Sequence, residues 1–283
     1  MRGLVAVRRA ALLMLHLGSG ALLSLPLSIL STLLGKPLRT PALVRWWHRR
    51  LCHLLAIRIR VSGQPRRGAL LVGNHVSWLD IPVIGTHVEA HFLAKREVRD
   101  WPLIGWLAAT AGTAFIDRGA HHALTVAAAL RERIQEGQTL MVFPEGTTTD
   151  GTRVQRFHPR LFALAQDGTI PIQPVAIAYR DPETRQLNPL APFLGEDDLF
   201  AHLTRLVTQH QVHVEVQFLT PFHAPAQARR ADLANRAHQS ITAALHAAAG
   251  SAHQAPGPPT SQTASPAVAV VVGEHHAGAA HAT

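Results

Sequence analysis

Between positions 10 and 35 the chain carries no charged residue, and leucine dominates. The run exceeds the ~20 residues that cross a bilayer core. Arg2, Arg8 and Arg9 precede it, and Lys36, Arg39, Arg45, Arg49 and Arg50 follow. His16, Pro26 and five Ser or Thr positions dilute its apolar character. Three readings fit this pattern: one spanning helix, a helix broken near Pro26 that dips into one leaflet, and a cleaved signal peptide. The apolar run outlasts a usual signal-peptide core, which weighs against the third. The heavier basic flank follows the run and predicts an inner (cytoplasmic) membrane location with the rest of the chain on the cytoplasmic side. Trp46 and Trp47 lie beside that flank, where their rings suit either a headgroup layer or core packing.

After this segment, short apolar runs alternate with helical patterns. Positions 57–61 alternate with period two and read as a strand with one wet face. Positions 69–72 form a continuous apolar run, as a strand buried on both faces does. Strand-like runs recur at 92–94, 113–116, 139–143, 172–178 and 212–219. Between them, 79–88, 101–109, 120–135 and 159–166 fit helices, with Asp100 before Trp101-Pro102 as a start signal and Gly137 as a stop. An Ala-rich helix is expected from about 226 to 249. The alternation predicts an α/β fold: a mixed, mostly parallel sheet flanked by helices, with an N-terminal membrane-associated helical segment. Three regions follow: an anchor over 1–50, an α/β domain over 51–249, and a disordered tail rich in Ala, Pro, Ser, Thr, Gly and His over 250–283.

Composition narrows the partners. Hydrophobic residues make up 47% and charged residues 16%, short of charge for a soluble chain of 283 residues, and the formal net charge is +9. That excess suits an acidic membrane surface or a phosphorylated substrate. With one Tyr and no aromatics interleaved among basic residues, nucleic acid is not an expected partner. Cys52 stands alone, which excludes an intrachain disulfide and a cysteine-rich metal site.

Three short blocks carry chemistry. Asn74-His75-Val76-Ser77-Trp78-Leu79-Asp80 leaves a buried strand and enters a helix, the strand end where α/β folds place active sites. Ser77 is expected to cap that helix, which puts Asp80 in its first turn and within reach of one imidazole nitrogen of His75. The other nitrogen then faces outward as a base, while the carboxylate fixes the tautomer. Ser77 as a nucleophile is the weaker alternative, since a cap already employs it. The second block, Phe143-Pro144-Glu145-Gly146-Thr147-Thr148-Thr149, leaves another apolar strand, with backbone N–H groups and hydroxyls suited to a polyol or an oxyanion. The third, Phe115-Ile116-Asp117-Arg118, places a guanidinium after a strand, where it grips a phosphate or forms a salt bridge.

In this order and spacing the blocks resemble the glycerolipid acyltransferase family, which makes phosphatidic acid from lysophosphatidic acid. The resemblance spans about 62–179 and includes a later strand with Pro171-Ile172-Gln173-Pro174-Val175. It implies that His75 deprotonates the acceptor hydroxyl, that Asp80 orients His75, and that the hydroxyl attacks an acyl thioester directly. It further implies substrate binding by Asn74, Arg118, Glu145, Gly146 and Thr147. The implied partners are membrane lipids, a lysolipid acceptor and an acyl-CoA or acyl-ACP donor, the latter involving acyl carrier protein; no cofactor and no metal are implied. Thr148 stands where the family often has Arg, with Arg153, Arg156 and Arg160 close behind. The leading expectation is transfer of a fatty acyl group to 1-acyl-glycerol-3-phosphate in phospholipid biosynthesis. The alternatives are O-acylation of another lysolipid, such as lyso-ornithine lipid, and a non-catalytic lipid-binding membrane protein.

Overall fold

The computed structural model describes residues 2–35, 40–101, 104–116, 120–181, 184–195 and 197–253. Within them, β1 (Ile57–Ser62), β2 (Leu70–Gly73), β3 (Ala90–Lys95), β4 (Ala114–Ile116), β5 (Thr139–Val142), β6 (Ile172–Arg180) and β7 (Val212–Phe218) form one sheet. Their order is β1-β7-β6-β2-β5-β3-β4, and only the β6–β7 pair is antiparallel. The mixed, mostly parallel sheet is the one expected from the alternation of patterns. β2 and β5 are adjacent and parallel, so their carboxyl ends emerge side by side. Every residue of both strands is buried, as their continuous apolar runs require, whereas β7 alternates between buried and half-buried positions and β1 between more and less exposed ones.

Side chains of successive strand residues point to opposite faces, and two cores result. Leu71 faces a core built with α1 (Arg2–Leu33), α2 (Pro41–Leu54), α3 (Asp80–Gly85) and α7 (Leu199–Thr208). Leu70 and Val72 face the other, built with α6 (Ala120–Gln135), a 3-10 helix over Pro159–Ala165 and α8 (Arg230–His253). Two short helices, α4 (Arg96–Arg99) and α5 (Ile104–Thr110), connect β3 to β4.

α1 runs unbroken through Pro26, which sets aside the reading of a helix broken there. It is long and apolar enough to cross a membrane. Its inner face, however, belongs to the fold: Leu13 and Leu17 are in the first core, and the Arg9 guanidinium donates to the Gln209 carbonyl oxygen. Outward, Leu4, Leu15 and Leu22 are each at least 70% exposed. The apolar outer face marks a membrane-associated protein.

Several local expectations change. The helix expected over 79–88 is the six-residue α3, and its N-cap is Leu79 with no side-chain cap. The Ser77 hydroxyl caps nothing; the Asp80 carboxylate, a stronger acceptor, takes the Val76 and Ser77 N–H groups instead. Asp100 closes α4, and the start expected at Trp101-Pro102 runs into positions 102 and 103, outside the described residues. The 159–166 segment is a tighter 3-10 helix. The Ala-rich helix starts at Arg230 and reaches His253; the remainder of the expected tail, like Arg118, lies outside the described residues.

Candidate active site

The loop leaving β2 and the loop leaving β5 meet because their strands are neighbours. His75 Nδ1 lies 2.7 Å from Asp80 Oδ2. The carboxylate is fully buried and accepts more: Val76 N–H at 2.8 Å and Ser77 N–H at 3.1 Å on Oδ2, and the Tyr179 hydroxyl at 2.7 Å on Oδ1. Burial, then the Asp80 charge, pushes the Tyr179 phenol well above its ordinary pKa, so it stays a donor. An acceptor-only carboxylate against Nδ1 fixes the proton on that nitrogen and leaves Nε2 with its lone pair.

Phe143 stacks flat on the imidazole, with centroids 4.1 Å apart and planes 11° apart. The His75 backbone is fastened at both ends: its N–H donates to Glu145 Oε1 at 2.8 Å, and its carbonyl accepts from Thr149 N–H at 2.8 Å. Glu145 Oε2 accepts from Gln155 N–H at 2.8 Å. Burial raises the Glu145 carboxyl above its ordinary pKa, and those two N–H groups oppose the rise. Asn74 bridges to β6, donating to the Ile177 carbonyl and accepting from its N–H. Gly146 turns the second loop at φ +69°, a left-handed conformation that suits glycine.

A cavity of ≈ 1110 Å³ opens beside His75. Gly146 and Thr147 line it near the imidazole, and Leu17, Val44 and Leu107 line it toward the N-terminal helices. Asn74, Asp80 and Glu145 are buried and do not line it. Thus the structure brings six of the seven residues singled out from the sequence to one place, in two tiers: His75, Gly146 and Thr147 at the wall, and Asn74, Asp80 and Glu145 behind it. The seventh is Arg118, outside the described residues.

Three contributors escaped the sequence reading. Tyr179 stands 99 positions from Asp80, beyond any local spacing rule. The Trp78 indole donates to His202 Nδ1 on α7 at 3.0 Å. Burial lowers the His202 pKa, with Arg205 adding to the effect, which favours the neutral ring that such an acceptor must be. Phe193 accepts from the Thr148 hydroxyl and donates its N–H to the Val76 carbonyl, tying the loops after β2 and β5 together.

The family model described as Acyltransferase matches residues 58–178. The chain is 46% identical over 211 residues to the lyso-ornithine lipid O-acyltransferase of Pseudomonas aeruginosa, covering 74% of this chain and 80% of that relative. It is 31% identical over 187 residues to the 1-acyl-sn-glycerol-3-phosphate acyltransferase of Neisseria gonorrhoeae, covering 66% and 72%. Its fold is shared with the solved 1-acyl-sn-glycerophosphate (LPA) acyltransferase, PlsC, of Thermotoga maritima, at a TM-score of 0.59 and 22% identity, covering 87% of this chain and 97% of that one. With its histidine and carboxylate held at the end of β2 and a relative this similar over most of both lengths, the chain belongs to the acyltransferase family and is an enzyme of that kind.

Proposed function

We propose that this enzyme moves a fatty acyl group from a thioester to the free hydroxyl of a lysolipid, and that lyso-ornithine lipid is its acceptor. One observation carries the chemistry: a His75 imidazole bonded to a buried Asp80 at 2.7 Å, on the wall of an apolar cavity of ≈ 1110 Å³. His75 Nε2 takes the acceptor's hydroxyl proton as the oxygen attacks the thioester carbonyl carbon. Asp80 stabilises the imidazolium that forms. The tetrahedral intermediate collapses, the carbon–sulfur bond breaks, and the departing thiolate takes the proton from Nε2. His75 and Asp80 are the catalytic pair. Asn74 and Glu145 hold the loops that carry it, and Gly146 and Thr147 border the bound acceptor. Ser77 Oγ is buried, lies off the cavity wall and has no hydrogen-bond partner, which argues against a serine nucleophile.

The acceptor is argued from likeness and charge. The relative of 46% identity is named for lyso-ornithine lipid, and those named for 1-acyl-glycerol-3-phosphate stand near 31%. Thr148 replaces a cation common in phosphate-binding members, and its hydroxyl is spent on the Phe193 carbonyl rather than on a ligand. An ornithine headgroup offers an ammonium and a carboxylate in place of a phosphate, which suits a site with one cation fewer. The second reading, 1-acyl-glycerol-3-phosphate, rests on the resemblance of the three blocks and on Arg118. Placement on the cytoplasmic side of an inner membrane follows from the basic flank of Arg45, Arg49 and Arg50. The packing of Leu13 and Leu17 into the catalytic domain supports an α1 laid along that surface.

The test is a side-by-side assay of purified protein with one acyl thioester and both lysolipids, following thiol release. The expected preference for lyso-ornithine lipid in kcat/KM is at least about tenfold, or ~1.4 kcal/mol. Preference for the phosphate-bearing acceptor would install the second reading, and no release with either would end the lysolipid assignment. His75→Ala should abolish release with both.

A further inference from the structure

Among the described residues, exposed large hydrophobic side chains are confined to three places. Most lie on α1 and at Leu34, one is Trp46 on α2, and the others are Leu190 (39%), Leu194 (41%) and Phe200 (76%). The last three belong to one stretch, the connection from β6 into the start of α7. A phenyl ring held 76% in water forgoes the free energy that burial returns. The core does not use these three side chains: Ala191 is the residue of the stretch that enters the first core, and α7 turns His202, Leu206 and Val207 inward.

The stretch leads into a helix that packs on α1. α7 packs against α1, and Arg9 of α1 bonds the Gln209 carbonyl just past the end of α7. Leu199 and Leu203 line the same cavity as Leu13 and Leu17. The two described carboxylates of the stretch turn to groups of α7. Asp198 caps α7 by accepting from Ala201 N–H, and Asp197 pairs with Arg205 at 3.2 Å.

From this placement we propose that Leu190, Leu194 and Phe200, with Phe200 as the principal anchor, form a second membrane-inserting patch that seats the cavity mouth in the lipid layer. The partner is a bilayer surface, and the proposal rests on the reading of α1 as membrane-associated. α7 also holds His202, which accepts from Trp78 between His75 and Asp80, so the element that enters the lipid supports the catalytic loop directly.

The chain suits a site-specific test. Its single cysteine, Cys52, is 3% exposed, and burial pushes its thiol up to about 12, so it will not compete for a thiol-directed label. An environment-sensitive fluorophore is attached in turn at Phe200→Cys, at Leu22→Cys on the outer face of α1, and at Gln239→Cys on α8. Each labelled full-length protein is reconstituted in phosphatidylethanolamine–phosphatidylglycerol vesicles containing an acyl-chain nitroxide lipid. The expected result is quenching at 200 comparable to that at 22, with none at 239. Quenching at 22 alone overturns the proposal while leaving the membrane role of α1 intact. No quenching at either overturns both. A label at 200 that ignores lipid but responds to acyl carrier protein would instead assign the patch to a protein donor, again overturning it. As a second arm, Leu194→Ser combined with Phe200→Ser should lower kcat/KM on a vesicle-embedded acceptor about tenfold. The same variant should match wild type on a micelle-dispersed acceptor, which also shows that it folds; equal loss in both formats overturns the proposal.

Discussion

Asp80 is the most heavily bonded side chain of the site: two oxygens accept from His75, Val76, Ser77 and Tyr179. That crowding keeps a buried charge tolerable and holds the imidazole in one tautomer. Asp80→Asn retains the shape but places an amide against Nδ1, and kcat should fall by roughly 10³–10⁴. Tyr179→Phe removes one donor of four and should cost about tenfold, near the ~1.5 kcal/mol of a hydrogen bond to a charged group. Because the Tyr179 phenol is held protonated far above its usual range, the ratio of wild-type to variant kcat/KM should stay level across the assay's pH range. A ratio that drifts with pH would show that Tyr179 titrates and is more than a fixed donor. The His75–Asp80 pair was legible in the sequence because both residues lie in one seven-residue block. Tyr179 was not, since only the pairing of β2 with β6 brings it to the carboxylate.

At the scale of elements, the β-strands were readable because burial on one face or two leaves a period in the sequence, as β1 and β2 show. α7 went unread between 178 and 212, where an irregular connection hides a ten-residue helix. The cap expected at Ser77 gives way because a charged acceptor, the Asp80 carboxylate, competes with a hydroxyl there. Attachment of α2 to α3 depends on His48, whose ring lies so close over Gly85 that a Cβ there would come within 2.4 Å. Burial lowers the His48 pKa to about 4, with a smaller push from His16. The unfolded chain therefore binds more protons than the fold between about 4 and 6.5, so stability rises with pH through that window and falls on acidification. The full difference is about 3 kcal/mol. His48→Leu should flatten this part of the profile, with thermal midpoints that drop less than wild type's from neutral to acidic pH. Parallel slopes would mean that His48 does not carry the acid sensitivity.

Across the whole molecule, the cavity joins parts that the sequence kept separate: α1 and α2 supply one wall, and the loops after β2 and β5 supply the reactive end. Segmentation into an anchor and a catalytic domain therefore divides what the fold unites, because removing α1 would take away Leu13, Leu17 and the cavity wall together. A fatty chain whose thioester carbon lies at His75 has an apolar route toward Val44 and Leu107 between the N-terminal helices and the sheet. Val44 is half-buried on α2 and lines that route without touching the His75–Asp80 pair. Val44→Trp adds an indole to the passage, where each excluded methylene forfeits about 0.8 kcal/mol of burial. The preferred donor should consequently shift to shorter thioesters, with kcat/KM for the longest substrates falling roughly fourfold per excluded methylene. Activity on the shortest substrates should change little, because the reactive end is untouched. Assaying a series of thioesters of increasing length decides the matter: a uniform loss across the series would place the acyl chain elsewhere, and a selective loss at the long end would place it between the sheet and the two helices that meet the membrane.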